Sequence, residues 1–243
     1  MLIVIMSDKL SVIVPYRDRE SQLLESMPNL AKFLNHYDID HTITVVNQSG
    51  VGQFNRGKLK NVGFLETKDS TNYSVLHDVD IYPVLNEHSS NDFGYFETPN
   101  YFYPRSDDSP VDWALHICKP SQKCAGCIFK VTNEHFESVN GFSNNYWGWG
   151  YEDRDLYDRL CAAGVTIHNQ GKRVSKYGRA KFVTLDGGTG WDGDHVTNND
   201  VNAGIYTASC SPEVRNSDGL NTCLYKVLST TRLEYYTVVD VLV

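Results

Sequence analysis

The first third of this chain alternates between two hydrophobic periods, and that alternation restricts the fold more than any other feature. Leu10 to Pro15 (Leu-Ser-Val-Ile-Val-Pro) is a β-branched run ended by a proline, the mark of a buried strand entering a loop. Ser21 to Asn35 then places Leu23, Leu24, Met27, Leu30, Phe33 and Leu34 at helical spacing. Thr42 to Asn47 returns to a strand pattern, Phe54 to Leu65 to a helical one, and Tyr73 to Leu76 to a third strand. Strand, helix and strand in succession start a parallel sheet covered by helices, so the expected class is α/β. With 243 residues, 41% of them hydrophobic, the chain can bury the core of one large domain or of two lobes.

Beyond Pro83 the periodicity weakens. Glu87 to Asp112 is rich in Asn, Ser, Asp, Pro and Tyr, which predicts long loops with short strands. Cys127 to Val131 is again strand-like, and Glu152 to Ala163 is helical with Gly164 placed to cap it. Asp186 to Asp194 (Asp-Gly-Gly-Thr-Gly-Trp-Asp-Gly-Asp) has the composition of a segment that can move.

A net charge of −8 argues against binding driven by contacts to a nucleic-acid backbone, which needs a basic face to release counterions. A phosphate-bearing ligand then requires local cations or a metal. The early apolar run, Leu2 to Met6, is far shorter than the ~20 residues that span a bilayer and lacks a signal-peptide layout. The expectation is a soluble chain. Six cysteines (Cys118, Cys124, Cys127, Cys161, Cys210, Cys223) are too few for a disulfide scaffold, and the lone Cys124-x-x-Cys127 has no second ligand pair. Buried free thiols are expected.

Five clusters carry chemistry. His77-Asp78-Val79-Asp80-Ile81 follows a strand, and strand alternation would turn Asp78 and Asp80 to one side, where paired carboxylates suit a hard divalent cation. Taken alone, such a pair serves equally as turn carboxylates. Pro15-Tyr16-Arg17-Asp18-Arg19 sets two guanidinium groups on the loop after the first strand, ready for phosphate, or for ion pairs with Asp18 and Glu20. Phe54-Asn55-Arg56-Gly57-Lys58 offers the same chemistry at a helix start, where backbone N–H groups add to the attraction for anions.

The fourth cluster is Trp147-Gly-Trp149-Gly-Tyr-Glu152-Asp153-Arg154-Asp155. Aromatic faces stack on sugar C–H faces, the glycines would let Trp149 swing, and one of the carboxylates could accept a proton from an attacking hydroxyl. A helix start with acidic residues against its dipole, and tryptophans in the core, is the other reading. The fifth is His195 beside Asp192, Asp194 and Asp186, an imidazole with carboxylates that could share a metal.

In this order the clusters resemble the β-1,4-galactosyltransferase family. The likeness is carried by Ile13-Val-Pro15-Tyr-Arg17-Asp-Arg19, Phe54-Asn-Arg56-Gly-Lys-Leu-Lys-Asn-Val-Gly-Phe64, Asp78-Val-Asp80-Ile-Tyr-Pro83, Asn140-Gly-Phe-Ser-Asn-Asn-Tyr-Trp-Gly-Trp149-Gly150, and Ser217-Asp-Gly-Leu-Asn221 with Tyr225-Lys-Val-Leu228. The resemblance implies a GT-A fold, a Rossmann-like mixed sheet flanked by helices with mobile loops over the site. Residues 1–243 would form one catalytic domain, with a nucleotide-sugar half at about 10–115 and an acceptor half at about 116–243. It implies an inverting, manganese-dependent transfer of a hexose, most simply galactose, from a UDP-sugar to an acceptor sugar.

By that resemblance Asp153 is the catalytic base, Arg17 and Arg19 contact the diphosphate and uridine, and Phe54 and Arg56 line the nucleoside pocket. Asp78 matches the donor-site aspartate and Trp149 the tryptophan of the closing loop. Pro15, Val79, Gly126, Glu152 and Arg154 join the substrate-binding positions. Asp80 and His195 match the metal ligands. A binding protein that kept the fold without turnover, or a transferase of another UDP-hexose or UDP-N-acetylhexosamine, is the alternative.

The sequence also departs from the family pattern. Arg154 interrupts the acidic run after Asp153 on the acceptor side, and Lys123 stands where an aromatic or aliphatic residue near Gly126 tunes the donor sugar. Asp192 takes the place of a methionine three residues before the histidine, a harder ligand that would admit Mg2+ beside Mn2+. Without the family's anchor and disulfides, a cytoplasmic protein is expected, or a Golgi-lumenal one if the chain is an excised catalytic domain.

Overall fold

The computed structural model describes residues 9–83, 113–117, 123–169, 182–185, 194–209 and 211–243. Its first part follows the alternation of the sequence: β1 (Leu10–Tyr16), α1 (Glu20–His36), β2 (His41–Gln48), α2 (Arg56–Thr67) and β3 (Tyr73–His77). Next come β4 (Ile81–Pro83), β5 (Trp113–Ile117), β6 (Ile128–Thr132), α3 (Asn133–Ser138) and α4 (Glu152–Ala162). The last elements are β7 (Thr166–Asn169), β8 (Phe182–Thr184), α5 (Asp194–Ala208), α6 (Pro212–Ser217), β9 (Lys226–Arg232) and β10 (Thr237–Leu242). As expected, Gly164 follows α4 with φ +79, the left-handed turn that ends a helix.

Eight of the described strands pair in the order β7-β5-β6-β3-β1-β2-β10-β9, and β4 pairs with β8 apart from them. β1 is parallel to both β2 and β3, whereas β6 is antiparallel to β3 and β5, so the sheet is mixed. Alternate residues of β1 enter different cores. Leu10, Val12 and Val14 pack with Leu23, Met27, Leu30 and Phe33 of α1, and Ile13 packs with Leu59, Val62 and Phe64 of α2. The two crossovers therefore cover opposite faces, and their loops part at the carboxyl ends of β1, β2 and β3. That divergence opens a crevice, the place where open α/β sheets bind ligands.

Close approach of α2 to the sheet depends on Gly63, where an added Cβ would lie 2.4 Å from Cγ2 of Ile13 and 3.0 Å from Cγ2 of Val46. Both neighbours are β-branched and cannot swing away freely. Gly63→Ala is expected to lower stability by about 1–3 kcal/mol despite the better helix propensity of alanine, as read by urea denaturation.

Two expectations need correction. Asp78 and Asp80 follow a strand, as expected, but strand alternation does not pair them: β3 ends at His77, and Val79 and Asp80 form a turn before β4. The burial still alternates, with Val79 and Ile81 inside and both aspartates less deeply buried, because the turn keeps its apolar side chains on the α1 core. Among the described cysteines only Cys223 is buried; Cys124 and Cys127 are half-buried on the approach to β6, and Cys161 is exposed on α4. Leu2–Met6, the Glu87–Asp112 segment, Cys118, Cys210 and 186–193 lie outside the described residues. Among those described, no helix is long and apolar enough to cross a membrane.

Candidate active site

The loop between β2 and α2 is set by two amides. Gln48, the last residue of β2, accepts the backbone N–H of Asn55 (2.8 Å) and donates to the carbonyl of Gln53 (2.7 Å). Asn55 then caps α2, its Oδ1 accepting the backbone N–H of Lys58 at 2.9 Å. Arg56 and Lys60 follow at i and i+4, so both cations point to one side. Opposite them, Tyr151 turns the chain through a left-handed conformation (φ +72) and opens α4, placing Glu152 and Asp153 in its first turn.

Arg56 lies where these pieces meet. Its Nε donates to Glu152 Oε1 (2.8 Å), one terminal nitrogen donates to Asp78 Oδ2 (3.0 Å), and the other bonds Asp153 Oδ2. Lys60 Nζ, fully buried, completes the cluster with a 3.2 Å contact to Asp78 Oδ1. Three carboxylates thus share two cations in a poorly solvated place. Burial would lower the affinity of Arg56 for its proton, but Asp153, Asp78 and Glu152 together raise it well above the ordinary arginine value. Burial pushes Asp78 upward, yet the neighbouring Arg56 and Lys60 outweigh it and hold its carboxyl below the usual range.

Glu152 goes the other way: burial raises it despite Arg56. His77, buried at the end of β3 with Nδ1 2.7 Å from the Asp78 carbonyl, is lowered to about 4 by burial and is neutral at pH 7. Uneven environments of this kind separate acid from base roles among like groups.

Asp153 is divided between two functions. Its Oδ2 is taken by Arg56, while Oδ1 is buried without a hydrogen-bond partner among the described residues. An unengaged carboxylate oxygen in such a place can accept a proton. Gly126 shapes the pocket: a Cβ there would stand 2.6 Å from Asp153 Oδ2, and the backbone beside it is fastened by the Ala125 N–H to the Asp153 carbonyl (2.9 Å). Gly126→Ala is expected to push the carboxylate aside and cut turnover by about 100-fold while the protein still melts cooperatively, as checked by steady-state kinetics and thermal denaturation.

The other sequence-predicted residues have neighbours of their own. Pro15 is buried in β1, and Arg17 leaves the next loop to donate to the Gly52 carbonyl (2.8 Å) and to cover the Phe54 ring at 5.4 Å. Phe54 and Arg56 therefore face different neighbours. Arg19 starts α1, and the Val79 carbonyl accepts from Ser26 Oγ (2.6 Å). Trp149 is 44% exposed, which removes the reading of it as a core residue. Arg154 is exposed, its guanidinium 4.8 Å from the Tyr206 ring.

Asp80 sits half-exposed on the turn, with its carbonyl accepting from the backbone of Leu185 (2.8 Å). His195 lies in the first turn of α5, and its side chain, like Asp192, is outside the described residues. No group of three metal-binding side chains occurs among the described residues.

Sequence reasoning missed Lys60 and the whole of α5. The signal for Lys60 was its i+4 spacing from Arg56. For α5 it was the recurrence of Asn199, Asn202, Tyr206 and Ser209 at three or four residues, a polar stripe on a helix with little apolar face to attract notice.

Two family models match: "N-terminal region of glycosyl transferase group 7" over residues 4–91, and "N-terminal domain of galactosyltransferase" over 113–182. The chain is 39% identical over 159 residues to beta-1,4-galactosyltransferase 7 of Mus musculus, covering 65% of this chain and 46% of that protein. It is 32% identical over 236 residues to beta-1,4-galactosyltransferase 1 of Bos taurus, covering 96% and 54%. It thus spans about half the length of these relatives. The catalytic domain of Drosophila beta-1,4-galactosyltransferase 7, solved with xylobiose, superposes with a TM-score of 0.77 at 28% identity, covering 97% of this chain and 94% of that one. A mutant of the same Drosophila enzyme, with manganese, UDP-Gal and xylobiose, gives 0.76 at 27%. Matched along both parts of its sequence and through nearly all of a solved catalytic domain, a GT-A fold with a mixed sheet, this chain belongs to the β-1,4-galactosyltransferase family.

Proposed function

We propose that this protein transfers galactose from UDP-galactose to an acceptor sugar with inversion, forming a β-1,4 bond. The observation that carries the reading is the Oδ1 of Asp153, buried without a hydrogen-bond partner among the described residues, beside an oxygen pinned by Arg56. A fixed carboxylate with one open acceptor site is what a general base requires. The acceptor hydroxyl gives its proton to Asp153 and attacks the anomeric carbon; the bond to UDP breaks on the opposite side, and the diphosphate leaves with the electron pair. An α-linked donor thereby yields a β-linked product.

Arg17 and Arg19, on the loop after β1, would hold the diphosphate, and Phe54 the uracil face. Asp78, Val79, Gly126 and Glu152 would surround the transferred sugar. Residues 10–115 act in this reading as the donor half and 116–243 as the acceptor half. Exclusion of water by the Trp149 segment keeps transfer from becoming hydrolysis.

Manganese suits the donor set at the end of the crevice, because Asp80 offers a hard, half-exposed carboxylate there. Asp80, His195 and Asp192 would hold the ion, and it would offset the charge growing on the diphosphate. The harder donor Asp192 extends the choice to magnesium.

A donor-by-acceptor array with detection of released UDP tests the proposal. It should include xylosides and glucosaminides as acceptors, with manganese and magnesium in parallel. Release from UDP-galactose is expected only with both a divalent ion and an acceptor. Equal release without acceptor would make the protein a hydrolase, and calorimetric binding of UDP without turnover on any acceptor would make it a binding protein.

A further inference from the structure

The polar stripe of α5 is bonded to the segment that carries Trp149 and leads into Asp153. Asn202 is 1% exposed, and its carboxamide nitrogen donates toward the carbonyls of Trp147 (3.1 Å), Trp149 (3.1 Å) and Gly150 (3.2 Å). Those carbonyls belong to irregular backbone in which Gly148 and Gly150 adopt left-handed conformations, φ +72 and φ +105. Neither helix nor sheet satisfies them, so the amide of one side chain does.

The neighbours on the stripe extend the attachment. The Tyr206 ring packs 5.4 Å from that of Tyr151, and its hydroxyl donates to Asp158 of α4. Ser209, just beyond the helix, donates to Asp155 Oδ1 (2.8 Å) and lies 3.3 Å from the Tyr146 hydroxyl. Contacts therefore run from Tyr146 to Asp158, on both sides of the Trp149 loop. Among the described residues of the stripe, Asn202 bonds the loop backbone directly, which the Phe54 carbonyl also holds by accepting the Gly148 N–H (2.8 Å).

We infer that Asn202 is a positioning residue, holding the 147–150 backbone in register with α4 so that Trp149 and Asp153 address the same bound sugar. The inference rests on the transfer reaction proposed above. α5 also carries His195 in its first turn, so the same helix ties the loop to the segment proposed to bring a metal ligand. Without the amide, the carbonyls of Trp147, Trp149 and Gly150 lose the two N–H groups they share, and the two glycines permit the loop other conformations.

The test uses Asn202→Leu and Asn202→Asp, which keep the branching at Cγ but remove the donors, and Asn202→Gln, which retains them. For the first two, amide hydrogen exchange across 147–151 is expected to speed up by about tenfold or more. Affinity for UDP, read by calorimetry, should stay within about twofold of the parent, while kcat for transfer falls by about 10- to 100-fold. The fraction of UDP released to water rather than to acceptor should rise, and Asn202→Gln should recover part of both losses.

A purely structural role would lower melting temperature and UDP affinity together and leave the partition between water and acceptor unchanged; that result overturns the inference. Parental exchange across 147–151 in Asn202→Leu overturns it as well. If the parent protein itself transfers no sugar, the proposed reaction fails, and the exchange data still decide whether Asn202 anchors the loop.

Discussion

Asp153→Asn is expected to lower kcat for sugar transfer by on the order of 1,000-fold while UDP affinity stays within about twofold of the parent. The size follows from the division of labour on this carboxylate. An asparagine can still present its carbonyl oxygen to Arg56, so the ion cluster loses a charge and keeps its shape. The open side then carries an NH2 group, which cannot take a proton from the acceptor hydroxyl. In the reading proposed above the nucleotide would be held elsewhere, by the loops of Arg17 and Phe54, so the variant should remain a competent UDP binder. Steady-state transfer and calorimetry on the same preparation measure the two effects. Transfer at the parental rate would remove Asp153 from the role of base, and joint loss of binding and transfer would point to collapse of the site.

Arg56→Met is expected to cost about 3–5 kcal/mol of stability at neutral pH, the largest effect on folding foreseen for a single residue here. Methionine roughly fills the space of the side-chain stem, so the loss is electrostatic. Asp78 would keep Lys60, whereas Glu152 and Asp153 would be left in a poorly solvated place with no ion-pair partner among the described residues.

The pH dependence has a definite sign. Glu152 is already raised by burial, and loss of Arg56 would raise it further. A carboxyl whose folded pKa exceeds its unfolded value binds more protons when folded, so its contribution to stability declines as pH rises through that range. The deficit of Arg56→Met relative to the parent should therefore be larger at pH 8 than at pH 5.5 in urea denaturation. A deficit that grows toward acid would contradict the cluster as described.

Much of the fold was legible before any coordinates. The strand and helix periods of residues 10–76 reappear as β1 through β3 with shifts of only one or two residues at most ends, because each pattern reflects burial of one face of one local element. The Asp78-Val79-Asp80 segment shows the limit of that logic. Its alternating burial was foreseen on the assumption of a strand, yet the chain had already left the sheet, and a turn produced the same alternation by docking Val79 and Ile81 on α1. Cys161 and Cys223 differ in exposure for a reason no spacing reveals, namely which side of α4 and of the α2 core they meet.

The sequence by itself determined the alternation of elements, the acidic net charge, and the order of motifs shared with the β-1,4-galactosyltransferase family. These are properties of neighbours along the chain, or of the list of residue types. Only the tertiary structure decided that Arg56 joins Asp78, Glu152 and Asp153, partners 22, 96 and 97 positions away. It also decided that Gly126 lies so close to Asp153 that a Cβ there would meet its carboxylate, and that Asn202 of an unremarkable polar helix grips the Trp149 loop. Such contacts depend on how the ends of separate elements converge at the crevice of the sheet. The convergence is set by long-range packing, and local sequence carries no record of it.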